Sequence, residues 1–181
     1  MASLETKHLG RTSKSPVIVG SSPLTQNLVS LEKCEEAGAG AVVLKSIFEE
    51  QIDNEVNREV ESNDEYLNFS SAHNVYRRAA TDFYIDKYLK LLSSAKKELG
   101  IPVIASICCK TLSSWAEYAK RFVESGADAI ELNYYPITSD ARVDGKSVDN
   151  EFFNFISFAR KNISCPLTIK IGSKYSALAN K

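Results

Sequence analysis

The stretch Glu36-Ala37-Gly38-Ala39-Gly40-Ala41-Val42-Val43-Leu44 runs into Lys45-Ser46, and a later stretch echoes it. That second stretch, Glu124-Ser125-Gly126-Ala127-Asp128-Ala129-Ile130-Glu131-Leu132, runs into Asn133. Each joins a helix end, a glycine break and a short apolar run, the pattern of a helix handing over to a buried strand. Gly100-Ile101-Pro102-Val103-Ile104 and Ser164-Cys165-Pro166-Leu167-Thr168 form a second pair of echoes with a proline at the break. Repetition of this junction predicts strands and helices in alternation, hence a parallel sheet with right-handed crossovers.

Working outward, Pro16 to Gly20 is a first strand, and Leu24, Leu28, Leu31 and Cys34 form a helical stripe ending at Ala37-Gly38. The second strand is Ala41 to Lys45. From Ile47 to Thr81 the chain is polar and acidic, and this stretch predicts a long active-site loop or lid, with room for a short helix of its own. Ile85, Tyr88, Leu89 and Leu92 mark the next helix, which stops near Gly100; Pro102 to Ile107 is the third strand. Ser114-Trp115-Ala116-Glu117 has capping-box form ahead of a Trp115, Tyr118, Ala119, Phe122 stripe. The fourth strand ends on Asn133. Phe152, Phe155, Ile156 and Ala159 stripe a further helix, and Leu167 to Ile171 is the fifth strand.

Five such units fall short of the eight that close a barrel, which takes roughly 250 residues. Ser173 to Lys181 looks like a loop entering a helix. The preferred fold is therefore α/β, a TIM-type parallel (β/α) barrel that is incomplete, with residues 1–181 its N-terminal part as one domain and 47–81 a loop or lid; an open five-stranded sheet is the alternative. In either architecture the carboxyl ends of the strands gather on one face, where ligands bind. Three strands close there on polar groups: Lys45-Ser46, Asn133 and Lys170. A lysine in a buried setting needs an anionic or hydrogen-bonding partner, so these ends are the functional lead.

Lys and Arg total 22 against 23 Asp and Glu, without the basic surplus of a nucleic-acid or anionic-membrane binder. The longest apolar runs, such as Pro102 to Cys109, are well under the roughly 20 residues of a membrane span. The N-terminus has no apolar signal core, which predicts a cytoplasmic protein. The four cysteines, Cys34, Cys108, Cys109 and Cys165, have no C-x-x-C spacing, so neither a zinc site nor a disulfide framework is expected. Cys108 and Cys109 are expected to be buried inert thiols, and His73 a solvated histidine of the polar loop. Trp115 and Phe152-Phe153-Phe155 are expected in the core.

The chain resembles the class 1 dihydroorotate dehydrogenases and the bacterial proteins similar to them. The resemblance spans nearly the whole chain. It rests on Ser15-Pro16 through Gly20-Ser21, Ala37-Gly38-Ala39 leading to Lys45-Ser46, Glu131-Leu132-Asn133 and Ile169-Lys170-Ile171 in that order. It implies an eight-stranded barrel holding flavin mononucleotide (FMN) at its C-terminal face. By this resemblance Ser21, Lys45, Ser46, Asn133 and Lys170 would contact the flavin, and Lys45 and Asn133 also a small-molecule substrate. It further implies an FMN-dependent oxidoreductase of pyrimidine biosynthesis, taking dihydroorotate or a related CH–CH compound and passing a hydride to flavin N5. A cation beside the ring would stabilise the charge that builds there on reduction.

The chain departs from this family where the general base is expected. Family members carry Ser-Cys-Pro-Asn after the Glu-Leu-Asn motif, with the cysteine as base; here Tyr134-Tyr135-Pro136-Ile137 follows. No catalytic base is thereby identified; Tyr134, Tyr135, Thr138 and Ser139 are the nearby proton-transfer candidates. The family's phosphate loops lie on later strands, so this chain is expected to hold FMN weakly or not at all and to associate through its open sheet edge, as a homodimer for example. The alternatives are a barrel aldolase or lyase with Lys45 or Lys170 as Schiff-base nucleophile, and a non-catalytic half-barrel.

Overall fold

The computed structural model describes residues 3–62, 70–108, 112–135 and 139–172. Its centre is a parallel sheet in the order β3 (Ile18–Val19), β4 (Ala41–Val43), β6 (Val103–Cys108), β7 (Ala129–Tyr134) and β8 (Leu167–Ile171), with the short β5 (Ile47–Phe48) also on β6. Helices α1 (Leu28–Glu36), α2 (Glu49–Ser62), α3 (Ser70–Glu98), α4 (Leu112–Glu124) and α5 (Gly145–Asn162) occupy the connections. Neighbours in the sheet are neighbours in sequence, the winding of a TIM-type barrel. The sheet is an incomplete (β/α) barrel, about half of a closed one.

The two-residue period of the strands splits their side chains between two environments. Val42, Leu44, Val103, Ala105, Ile107, Ile130 and Leu132 face the helices and meet Leu31, Ile85, Leu92, Trp115 and Phe122 in the main core. Ala41, Val43, Ile104 and Ala129 face the other way and form a small apolar layer with Ile18 and Leu9 inside the barrel.

Leu9 belongs to an antiparallel hairpin, β1 (Thr6–His8) and β2 (Arg11–Ser13), which the sequence reading did not foresee. Its turn residues Leu9 and Gly10 both have positive φ, +50° and +74°, as a two-residue hairpin turn with right-handed strand twist requires. The hairpin lies at the amino ends of the strands. Ser13 Oγ donates to Gly40 O at 2.7 Å, and Arg11 pairs with the buried Asp128 at 2.9 Å.

The stretch 47–81 is largely helical rather than a long loop. It forms β5, α2 and the first turns of α3, with residues 63–69 outside the described residues. Ile52, Val56 and Val60 recur every four residues among acidic neighbours, and all three are buried; so thin a stripe was masked by the charge around it. Tyr84 Oη donates to Glu59 Oε1 at 2.9 Å, and Arg77 Nη1 donates to Asn57 Oδ1, closing the two helices on each other. His73 accordingly belongs to α3 rather than to a loop.

Two smaller expectations change. Helix α4 already runs from Leu112, so Ser114 is inside its first turn and donates to Glu49 Oε1 at 2.5 Å instead of capping. Leu24 is exposed in a short 3-10 turn, Pro23–Thr25, and the stripe of α1 starts at Leu28. No helix among the described residues is long and apolar enough to cross a membrane.

Candidate functional site at the carboxyl ends of the strands

Following the inner face upward from Ile104 and Ala129, the same alternation brings Ser106, Glu131 and Asn133 inward. Asn133 stands opposite Lys170 in the β7–β8 register. The interior thus changes from an apolar layer to a polar one at the strand ends. Ser106 and Asn133 are almost fully buried there, and buried polar groups must find partners.

They find each other. Ser46 Oγ lies 2.7 Å from Ser106 Oγ and 2.9 Å from Ser21 Oγ, and the Ser46 N–H donates to Ser21 Oγ at 2.8 Å. Asn133 Nδ2 lies 3.0 Å from both Ser46 Oγ and Ser106 Oγ and 3.2 Å from Ile107 O. Ser106 Oγ donates to Glu131 Oε1 at 2.8 Å, and Lys170 Nζ is 3.9 Å from the same oxygen. A carboxylate only accepts, so the Ser106 proton points at Glu131. With its proton committed there, Ser106 Oγ accepts from Ser46, and Ser46 Oγ in turn from Ser21. Three hydroxyls are thereby aligned toward one carboxylate, an arrangement in which each bond polarises the next.

The backbone beneath this network contains a bulge. Val43 pairs with Ile104 and Ile47 with Ile107, four residues along one strand against three along its neighbour. Two consequences follow. The Ser106 N–H, on the β4 side of β6, falls in the gap, where the buried Tyr88 phenol accepts it at 2.9 Å and also donates to the Ser106 carbonyl at 3.4 Å. Burial, with the negative charge of Glu131 adding to it, pushes that phenol well above its ordinary pKa. The bulge also re-aims Lys45.

Of the residues singled out in the sequence, the structure brings Ser21, Ser46 and Asn133 into one network with Lys170 at its edge. It does not bring Lys45 there. The Lys45 N–H is taken by Thr25 O at 3.1 Å, and its exposed side chain reaches Gln26 Oε1 at 3.5 Å. Lys45 lines a neighbouring cavity of about 310 Å³ on the outer side of the bulge, together with Phe48, Ile52, Tyr84 and Lys87. Tyr134 faces the helices, its ring stacked 4.5 Å from Phe155, so it is not a proton donor to the inner face. Tyr135 and Ser139 are not part of the network, and Thr138 and Cys109 lie outside the described residues.

Ser106 and Glu131 are the members that sequence reasoning missed. Their signal was present: each is a polar residue inside an apolar strand, two positions from another inward residue. Cys108, at the end of β6, has its thiol pKa raised by burial and by the charges of Glu50 and Glu49. A raised pKa leaves less thiolate at neutral pH. Alkylation of Cys108 by iodoacetamide should therefore be slower than that of free cysteine at about pH 8. Its rate should still be rising above pH 9.0, the ordinary thiol value, and Glu50→Gln should accelerate it. Mass spectrometry of timed samples reads these rates.

No protein-family model matches the chain. Over 134 residues it is 31% identical to the catalytic subunit of dihydroorotate dehydrogenase B (NAD(+)) of Thermoplasma acidophilum, a match covering 74% of this chain and 42% of that protein. The chain thus spans under half the length of the curated relative it matches. Among solved structures, phosphoenolpyruvate phosphomutase from Streptomyces platensis subsp. rosaceus superposes with a TM-score of 0.48 at 13% identity, over 86% of this chain and 48% of the other. Phosphonopyruvate hydrolase, solved with oxalate and Mg²⁺, gives 0.47 at 15% identity over 87% and 48%. The chain is an incomplete TIM-type barrel with a polar network at its strand ends, and its sequence is similar to that of a dihydroorotate dehydrogenase catalytic subunit.

Proposed function

We propose that the polar layer at the strand ends is the ring side of a flavin site, and that the chain is part of an FMN-dependent oxidoreductase acting on dihydroorotate or a related CH–CH compound. The observation that carries this reading is the convergence of Ser21, Ser46, Asn133 and Lys170 around Glu131. The donor set suits the group. The pyrimidine edge of a flavin offers an N–H between two carbonyls; Lys170 is a donor to a carbonyl, and Glu131 is an acceptor for that N–H. The 31% identity to a dihydroorotate dehydrogenase subunit supports the same assignment.

When bound, the flavin supplies a hydride acceptor. This chain's residues do the rest. Lys170 sets a positive charge at the ring edge, and Asn133 is held in one orientation by its three contacts. The Ser106 hydroxyl holds the Glu131 carboxylate in place for the flavin N–H.

The N-terminus of α5, which follows β7, is unsuited to the phosphate: it is capped by the Asp144 carboxylate, which donates nothing and repels an anion. FMN and riboflavin should accordingly bind the purified chain with affinities within about threefold of each other. Asn133→Ala and Lys170→Ala should each weaken both by about tenfold, a loss of ~1.4 kcal/mol. Quenching of flavin fluorescence measures this, with circular dichroism as the check on folding. Flavin that fails to bind the folded chain, or binds regardless of these substitutions, overturns the reading. Borohydride trapping of a carbonyl compound on Lys170 would replace it with Schiff-base chemistry.

A further inference from the structure

Helix α3 buries one face in the core through Ala80, Ile85, Tyr88 and Leu92. Its opposite face carries a second apolar stripe in the N-terminal half: Val75, Ala79 and Phe83, spaced four residues apart. Val75 and Phe83 are 71% and 67% exposed. The core does not use this stripe, which stays exposed although α1, α2 and α4 all pack against α3.

The charges beside the stripe have a particular order. Arg78 and Asp82 sit on one flank, one helical turn apart, on either side of the stripe's centre. Asp82 is oriented by Arg121 of α4, whose Nη1 is 3.0 Å from Asp82 Oδ1 and whose Nη2 is 2.7 Å from Asp86 Oδ1. Asp82 still remains 52% exposed, so it is fixed in place and open to another partner.

We propose that this stripe is a self-association surface, occupied by the α3 helix of a second copy running antiparallel about a two-fold axis beside Ala79. That operation places Val75 against the partner's Phe83, Phe83 against the partner's Val75, and the small Ala79 at the point of closest helix approach. In antiparallel pairs the same flanks meet, so Arg78 faces the partner's Asp82 and Asp82 the partner's Arg78. The patch is thereby complementary to itself in shape and in charge, the requirement of a closed isologous dimer. A hydrophobic protein partner would use the stripe but not the alternation of Arg78 and Asp82, which favours a second copy.

Sedimentation velocity on the purified chain over a range of protein concentrations tests the proposal. A monomer–dimer equilibrium is expected, weakening with salt. Phe83→Glu should give folded monomer at every concentration, with circular dichroism as the check on folding, because the side chain is exposed. Arg78→Glu sets like charges against each other and should weaken dimerisation by about tenfold or more. A chain that is monomeric throughout, a dimer indifferent to Phe83→Glu, or one indifferent to Arg78→Glu overturns the two-fold pairing. So does a monomer that captures a different polypeptide through Phe83.

Discussion

Gly40→Ala is expected to destabilise the chain by about 3 kcal/mol or more, the upper end of overpacking effects. A Cβ at position 40 would lie 1.9 Å from Ser15 O and 2.3 Å from Ser13 Oγ. The first of these is backbone, so no rotamer change relieves it. Gly40 is also where the segment entering β3 and the hairpin converge on the amino end of β4: its N–H donates to Val17 O at 2.8 Å, and its carbonyl accepts from Ser13 Oγ. A shift large enough to admit a methyl group would break both bonds. Gly38→Ala is the control. Its φ is +94° but no atom comes within 4 Å of a Cβ built there, so only backbone strain of about 1 kcal/mol is expected. Urea denaturation of the two variants side by side separates crowding from strain. Equal losses would show that the close approach at Gly40 relaxes freely.

Asp128→Ala is expected to cost about 3 kcal/mol, with Asp128→Asn losing roughly half of that. Asp128 is buried at the start of β7 and holds three groups together. Its Oδ2 accepts from the Val103 N–H at 2.8 Å and from Lys96 Nζ at 2.5 Å, and its Oδ1 accepts from Arg11 at 2.9 Å. Removing the carboxylate leaves a buried backbone N–H unpaired, which is the larger part of the penalty. Arg11 and Lys96 are partly exposed and rehydrate, which keeps the loss at the lower end of the range for a broken buried pair. Asparagine restores an acceptor for Val103 but not the charge. Arg11→Ala removes only the half-exposed partner and should cost under about 1 kcal/mol, while raising amide exchange in the hairpin. Chemical denaturation gives the stabilities, and hydrogen exchange at Ser13, hydrogen-bonded across the hairpin to Thr6, reports the hairpin. Asp128→Ala as mild as Arg11→Ala would sink this account of the barrel's base.

The five main strands and most of their helices were legible because burial on both faces makes each β4- or β7-like segment a continuous apolar run between turn residues. The same reading placed Ser46, Asn133 and Lys170 at one end of the sheet, and it named Glu131-Leu132-Asn133 as a motif without assigning Glu131 a part. It misread 47–81, where a single apolar residue every four positions packs α2 onto α3 while the rest is charge. The hairpin was also missed, since β1 and β2 are three residues each and too short to show a period.

What the amino-acid order determined by itself is the alternation of strand and helix, and with it the half-barrel and the polar end of its inner face. Local periodicity carries that information. Which polar side chains meet was decided only in the folded chain. Lys45 and Ser46 are adjacent in sequence, yet one extra residue between β4 and β5 turns Ser46 inward to Ser106 and Asn133 and sends Lys45 outward to Gln26. That bulge is a mismatch in length between two strands about 60 residues apart, and Tyr88, from a helix between them, closes the gap it leaves. Register between distant strands is a tertiary quantity, and here it selects which of two adjacent residues belongs to the site.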